Sequence, residues 1–240
     1  SDCVAIGKGA LETITTGGSN IAIGSYSLDA ATSAAHNVAI GSYTLSNASA
    51  GGESVAIGHA ALSSETNAVV SSVAIGFKAL EDQSVNNAFN VAVGHSAGLN
   101  LSSGTDSVYM GYLAGGVGLI TGNSNVAIGK GAFLDATSAA RCVFIGAGAG
   151  GEPITGTRTA AITGADNVAI GSDAGYDLTS GASNVLIGRL AGANFTANNY
   201  NVAIGLNAMD AANTSEHNNI AIGTNALGAE TSGADYCVAI

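Results

Sequence analysis

The sequence predicts an all-β fold, a parallel β-roll or β-solenoid of about fourteen coils of 17–18 residues each. Three observations predict it. One tetrapeptide recurs from end to end, its columns hold fixed residue types, and the composition suits thin stacked coils better than a thick core. Hydrophobic residues make up 47% of the chain, yet it holds no Trp, 7 Tyr and 5 Phe beside 35 Gly and a single Pro. Charged residues are 10%, against about 25% in ordinary domains. Disorder is excluded by the aliphatic content, since disordered chains combine few aliphatics with many charges.

The tetrapeptide is Val4-Ala5-Ile6-Gly7, then Ile21-Ala22-Ile23-Gly24, Val38-Ala39-Ile40-Gly41 and Val55-Ala56-Ile57-Gly58. It continues to Gly76, Gly94, Gly111, Gly129, Gly146, Gly171, Gly188, Gly205 and Gly223, and ends on Val238-Ala239-Ile240. One repeat array therefore fills 1–240, and both ends cut through the pattern as in a segment of a longer fibre. Two β-branched residues separated by one residue share a face of a strand. That face is expected to be buried, with Val and Ile filling each roll. The residue between them is Ala in all copies but three, which carry Tyr109, Phe144 and Leu186. A methyl column such as Ala92 and Ala127 is expected to pack against a close neighbour, so both faces read as covered.

The glycine after each strand implies positive φ or a close backbone approach at a tight corner. Three residues later comes a small column, mostly Ala with Ser27 and Thr44, followed by Leu11, Leu28, Leu45, Leu62, Leu80 or Leu227. Phe133, Met209 or Gly replaces that Leu in the remaining units. This stretch reads as a second short strand. The rest of each unit is Ser, Thr, Asn, Gly and Asp, which is turn chemistry. Before the strand stands Asn in eight copies (Asn20, Asn37, Asn90, Asn125, Asn167, Asn184, Asn201 and Asn219), with Ser or Cys in the others. Stacked amides one coil apart are expected to form a hydrogen-bonded ladder. Coils about 4.8 Å apart make a rod of about 65 Å.

Asn-Val-Ala-Ile-Gly-x-x-Ala resembles the head repeats of trimeric autotransporter adhesins, and is similar to repeats of phage and other viral tail fibres. The resemblance covers essentially the whole chain. It implies a left-handed parallel β-roll in which three identical chains pack around one axis. It further implies an extracellular, non-enzymatic role in adhesion, on a virion or a bacterial surface, with a host or surface glycan or protein as receptor. The unit of 17–18 residues is longer than the adhesin pattern, and no neck, stalk or anchor is recognisable in this stretch.

The charge is −11. A generic nucleic-acid binder needs a basic stripe, and an anionic membrane surface would repel this chain. No run of about 18 apolar residues occurs to span a bilayer. The competing class is a solenoid with a local ligand-binding or enzymatic site. A hexapeptide acyltransferase would carry an aliphatic residue at every sixth position, but the sixth after Ile6 is Glu12 and the sixth after Ile40 is Ser46. His59 and His95 follow glycine corners, while His36 and His217 lie in polar returns; all four read as solvated loop residues. No Ser-His-Asp or paired-carboxylate spacing repeats. Gly146-Ala147-Gly148 has no evident helix after it to hold a phosphate. The Asp residues share no column, so no metal or cofactor is expected, and Thr is scattered among the returns rather than forming an ice-binding rank. Cys3, Cys142 and Cys237 share the column before the strand. Eight coils separate the first two, far beyond the roughly 7 Å that a disulfide spans. They read as small residues in place of Asn or Ser, with bonding between chains as the alternative.

One unit is irregular. Between Gly146 and Gly171 the coil over 147–170 gains about eight residues, including the only Pro. Solenoids push insertions out as loops. Pro153, Thr155 and Arg158 are therefore the candidate surface contact, on a protrusion.

Overall fold

A computed structural model describes residues 2–64, 71–83, 88–151, 161–211, 216–229 and 235–240. The chain divides into two compact units, Ser1–Gly116 and Val117–Ile240. The first holds β1 (Val4–Ile6), β2 (Ile21–Ile23), β3 (Val38–Ile40), β4 (Val55–Ile57), β5 (Val73–Ile75), β6 (Val91–Val93) and β7 (Val108–Met110). The second holds β8 (Val126–Ile128), β9 (Val143–Ile145), β10 (Val168–Ile170), β11 (Val185–Ile187), β12 (Val202–Ile204), β13 (Ile220–Ile222) and β14 (Val238–Ala239). Within each unit, consecutive strands pair in parallel and in register, one per coil, as in Ala22 on Ala39 and Val185 on Val202. The described residues contain no helix, and the fold is an all-β solenoid of parallel strands.

The interior reverses the expected sides of the strand. The middle residue points inward: Ala22, Ala39, Ala56, Ala74, Ala92 and Ala127 are fully buried, with Tyr109, Phe144 and Leu186 in the same place. Across the coil stand Leu28, Leu45, Leu62 and Leu80, also buried. The coil is so thin that one Leu fills it and the facing strand contributes only a methyl. Strand alternation then turns Val and Ile outward, half-buried or exposed, as with Ile21 and Ile220 at 38%. The expectation that Val and Ile fill the roll is thus corrected, and a charge at Ala92 or Ala127 would enter the coil interior.

The expected second strand is also corrected. Residues after each corner glycine form turns, with the Leu column in the left-handed region: Leu28, Leu45, Leu62 and Leu80 have φ between 49 and 51°. The backbone still bonds from coil to coil there. Leu28 N–H donates to the Thr44 carbonyl one coil ahead at 3.0 Å, and Tyr43 N–H donates one coil back to Ser25 at 2.9 Å. Cohesion between coils therefore continues through the turns without extended φ/ψ.

Asn forms the expected ladder and does more. Asn184 Nδ2 donates to Asn167 Oδ1 at 3.0 Å and to the Asn198 carbonyl across its own coil at 2.7 Å. Its Oδ1 accepts the backbone N–H of Asn201 at 3.0 Å. One amide thus ties the return to the strand and one coil to the next. Asn184→Ala leaves the buried Asn198 carbonyl and Asn201 N–H without these partners. We expect a loss of about 2–3 kcal/mol in chemical denaturation, whereas Ser183→Ala beside it, at the solvent side, stays within about 0.5 kcal/mol.

Register survives the irregular unit. Val143 N–H bonds to Asn167 at 2.8 Å, Thr137 N–H to Ile162 at 3.0 Å, and Ala136 bridges Ile162. The added stretch therefore falls between Gly151 and Ala161.

Candidate functional site

The outward aliphatic face is the most prominent chemical feature of each unit. Strand alternation sends two branched side chains per coil outward, and in-register pairing aligns them into a Val file and an Ile file. Ile75, Met110 and Ile222 are exposed, and Val38, Val55, Val126 and Ile128 half-buried. A contiguous apolar ribbon of this kind marks an interaction surface, because single scattered apolar residues would not line up.

Past the glycine corner, the first unit carries a file of rings. Tyr26, Tyr43, His59, Phe77, His95 and Tyr112 follow one another with centroids 5.4, 5.9, 5.4, 4.8 and 5.3 Å apart. Lys8 Nζ lies 5.3 Å from the Tyr26 ring centre, and the nearby Tyr26 side chain raises its pKa. His59 and His95 are exposed, as expected, but belong to this file rather than to isolated loops. Sequence columns hid it because Tyr26 and Tyr43 stand two residues after Gly, and the other four rings stand one after.

The remaining candidates separate. His36 is exposed beside Ser33, Ala35, Gly52, Glu53 and Ser71 in a shallow concavity. His217 Nδ1 accepts the Asn199 N–H at 3.1 Å in another return. Among the described residues no group of three His, Cys, Asp or Glu comes together in a metal-binding cluster. The Thr residues are better aligned than their sequence positions suggest. Thr15 Oγ1 donates to Thr32 at 2.8 Å, Thr32 to Ser49 at 3.0 Å and Thr179 to Thr196 at 3.0 Å. These hydroxyls are spent on the carbonyl of the next coil. Arg141 grips Asp166 of the next coil through two bonds of 2.6 and 2.8 Å, which holds the Asp166 carboxyl below its usual range.

All three cysteines are free. Cys142 is buried, where desolvation pushes its thiol pKa up, and its Sγ donates toward the Ala140 and Gly164 carbonyls. Cys3 and Cys237 are half-buried. Pro153, Thr155 and Arg158 lie outside the described residues. No described helix is long and apolar enough to cross a membrane. Compared with known proteins, the chain matches no family model and no curated sequence.

Proposed function

We propose that this chain is a non-enzymatic structural and adhesive segment of an extracellular fibre, assembled as a homotrimer through its Val and Ile files. The observation that carries the reading is the outward aliphatic ribbon, repeated coil after coil. Taking one such side chain from full exposure to full burial is worth about 1.5–3 kcal/mol; each half-buried Val or Ile gains part of that on being covered, and the gains add along the files. A second copy is the natural cover, since its own ribbon has the same spacing and the same need. The number three, the left-handed turn and the fibre context come from the resemblance of the repeat to adhesin heads and tail fibres. In such a fibre the chain spaces or presents contacts for a receptor.

Light scattering at micromolar concentration tests the assembly. The expected mass is three times the 23.2 kDa of one chain. The paired substitution Val126→Glu and Ile128→Glu places carboxylates on the ribbon without entering the coil. It is expected to yield a monomer whose far-UV circular dichroism keeps the β signature, because burying unpaired charge opposes assembly. A parent protein that is monomeric at these concentrations overturns the reading.

A further inference from the structure

The ring file of the first unit is not something the solenoid needs. In the second unit the residues after the corner glycines are Lys130, Ala147, Ser172, Arg189, Leu206 and Thr224. Strands β8 to β13 pair there in the same parallel register with no ring at the corner. The rings also remain open to solvent: Tyr43 is 46% exposed, Phe77 42% and Tyr112 43%. Six aligned rings that the fold does not require and water does not favour form a surface fit for a ligand.

Geometry and charge narrow the ligand. Tyr26 stacks on Tyr43, His59 on Phe77 and Phe77 on His95, at interplanar angles of 16, 17 and 27°. The other two neighbouring pairs are turned, Tyr43 with His59 at 64° and His95 with Tyr112 at 47°. The rings recur once per coil with centroids 4.8 to 5.9 Å apart, so a flat, elongated aromatic ligand laid along the file can bury apolar area against several of them in succession. The file already draws cations. The unit has two lysines, and both bring Nζ close to a ring: Lys8 at 5.3 Å from Tyr26 and Lys78 at 5.8 Å from Phe77. Lys78 is also held by Glu81 at 3.0 Å. Against these two lysines and no arginine, residues 1–116 carry eight Asp and Glu. A cationic ligand is therefore favoured over an anionic one.

We propose that the file from Tyr26 to Tyr112 is a binding strip for an elongated planar aromatic cation lying along successive coils. The proposal does not depend on self-association, because the file lies past the glycine corner from the Val and Ile ribbon. Thioflavin T, an elongated planar aromatic cation, is the probe. Titrated into the parent protein, it is expected to shift the Cε1–H resonances of His59 and His95 and to leave those of His36 and His217 in place. The pair Tyr43→Ser and Phe77→Ser is expected to weaken binding about tenfold, while Phe77→Tyr retains it. Unmoved His59 and His95 resonances, which need no variant to observe, overturn the proposal. So does equal affinity in the Tyr43→Ser, Phe77→Ser protein when its circular dichroism is unchanged, or equal affinity of the same strip for an anionic naphthalene sulfonate dye.

Discussion

Phe144→Ala is expected to destabilise the protein by about 3–5 kcal/mol, and a second substitution, Gly150→Leu, is expected to restore most of that loss. Phe144 occupies the strand position that is Ala in most coils, and its buried ring stacks on Phe133 of the preceding coil at 4.8 Å. Gly150 stands in its coil where Leu28, Leu45, Leu62 and Leu80 stand in theirs. A Cβ built on Gly150 would overlap the Phe144 ring. The coil interior thus has room for Ala plus Leu or for Phe plus Gly. Gly150→Leu alone overpacks the coil, at a cost of about 1–3 kcal/mol or more. In the Phe144→Ala background the same Leu has the space its counterparts have. The backbone already suits it, with φ of 59° at Gly150 beside 49–52° in the Leu column. Thermal and denaturant melts at fixed chain concentration should therefore show a coupling of about 3 kcal/mol between the two sites. Additive effects would mean that the two side chains do not share one volume.

The same exchange of volumes is written in the sequence as a pairing of two columns. Tyr109 has Gly98 against it, a Cβ there meeting the ring at 3.2 Å, and Leu186 has Gly175 and Gly192 at 3.0 and 2.7 Å. A large residue at the strand centre always coincides with Gly in its own coil's Leu column. Read together, the two columns show that the strand centre faces the Leu column, hence that Val and Ile face out. Read separately, a nearly invariant Ala fits equally well against a neighbouring chain, and β-branched residues suggest a filled core by default. Coil length, strand positions, glycine corners and the Asn ladder were legible because each is fixed by backbone spacing and hydrogen bonding. The turn after the corner was not. Leu at φ near +50° runs against the usual preference of L residues, and only the coil-to-coil bonds of the turn hold it there. The ring file was illegible for a related reason, since a long side chain reaches the same file from either of two neighbouring positions.

Gly171→Ala is expected to be among the most damaging single-methyl changes the chain can suffer. The corner after β10 has φ of +136°, a region essentially closed to residues with a Cβ. A methyl there would also sit 2.5 Å from the Gly188 carbonyl oxygen and 2.6 Å from its carbon, one coil ahead. Neither atom can retreat, because the Gly171 and Gly188 amides are tied to Ile145 and Ile170 at 2.7 and 2.8 Å. Relief requires that the two coils part, which forfeits hydrogen bonds along the strand, the turn and the Asn167–Asn184 rung together. The strain alone is worth about 1–3 kcal/mol, and the steric term adds to it, so the loss should exceed about 4 kcal/mol. A solenoid is stabilised by neighbour contacts, so the damage should be local. Hydrogen exchange should show lost protection in the coils of β9 to β11 first, with the coils of β2 to β5 still protected. Uniform loss along both units would instead indicate all-or-none cooperativity, and an unchanged melting temperature would contradict the close approach at the corner.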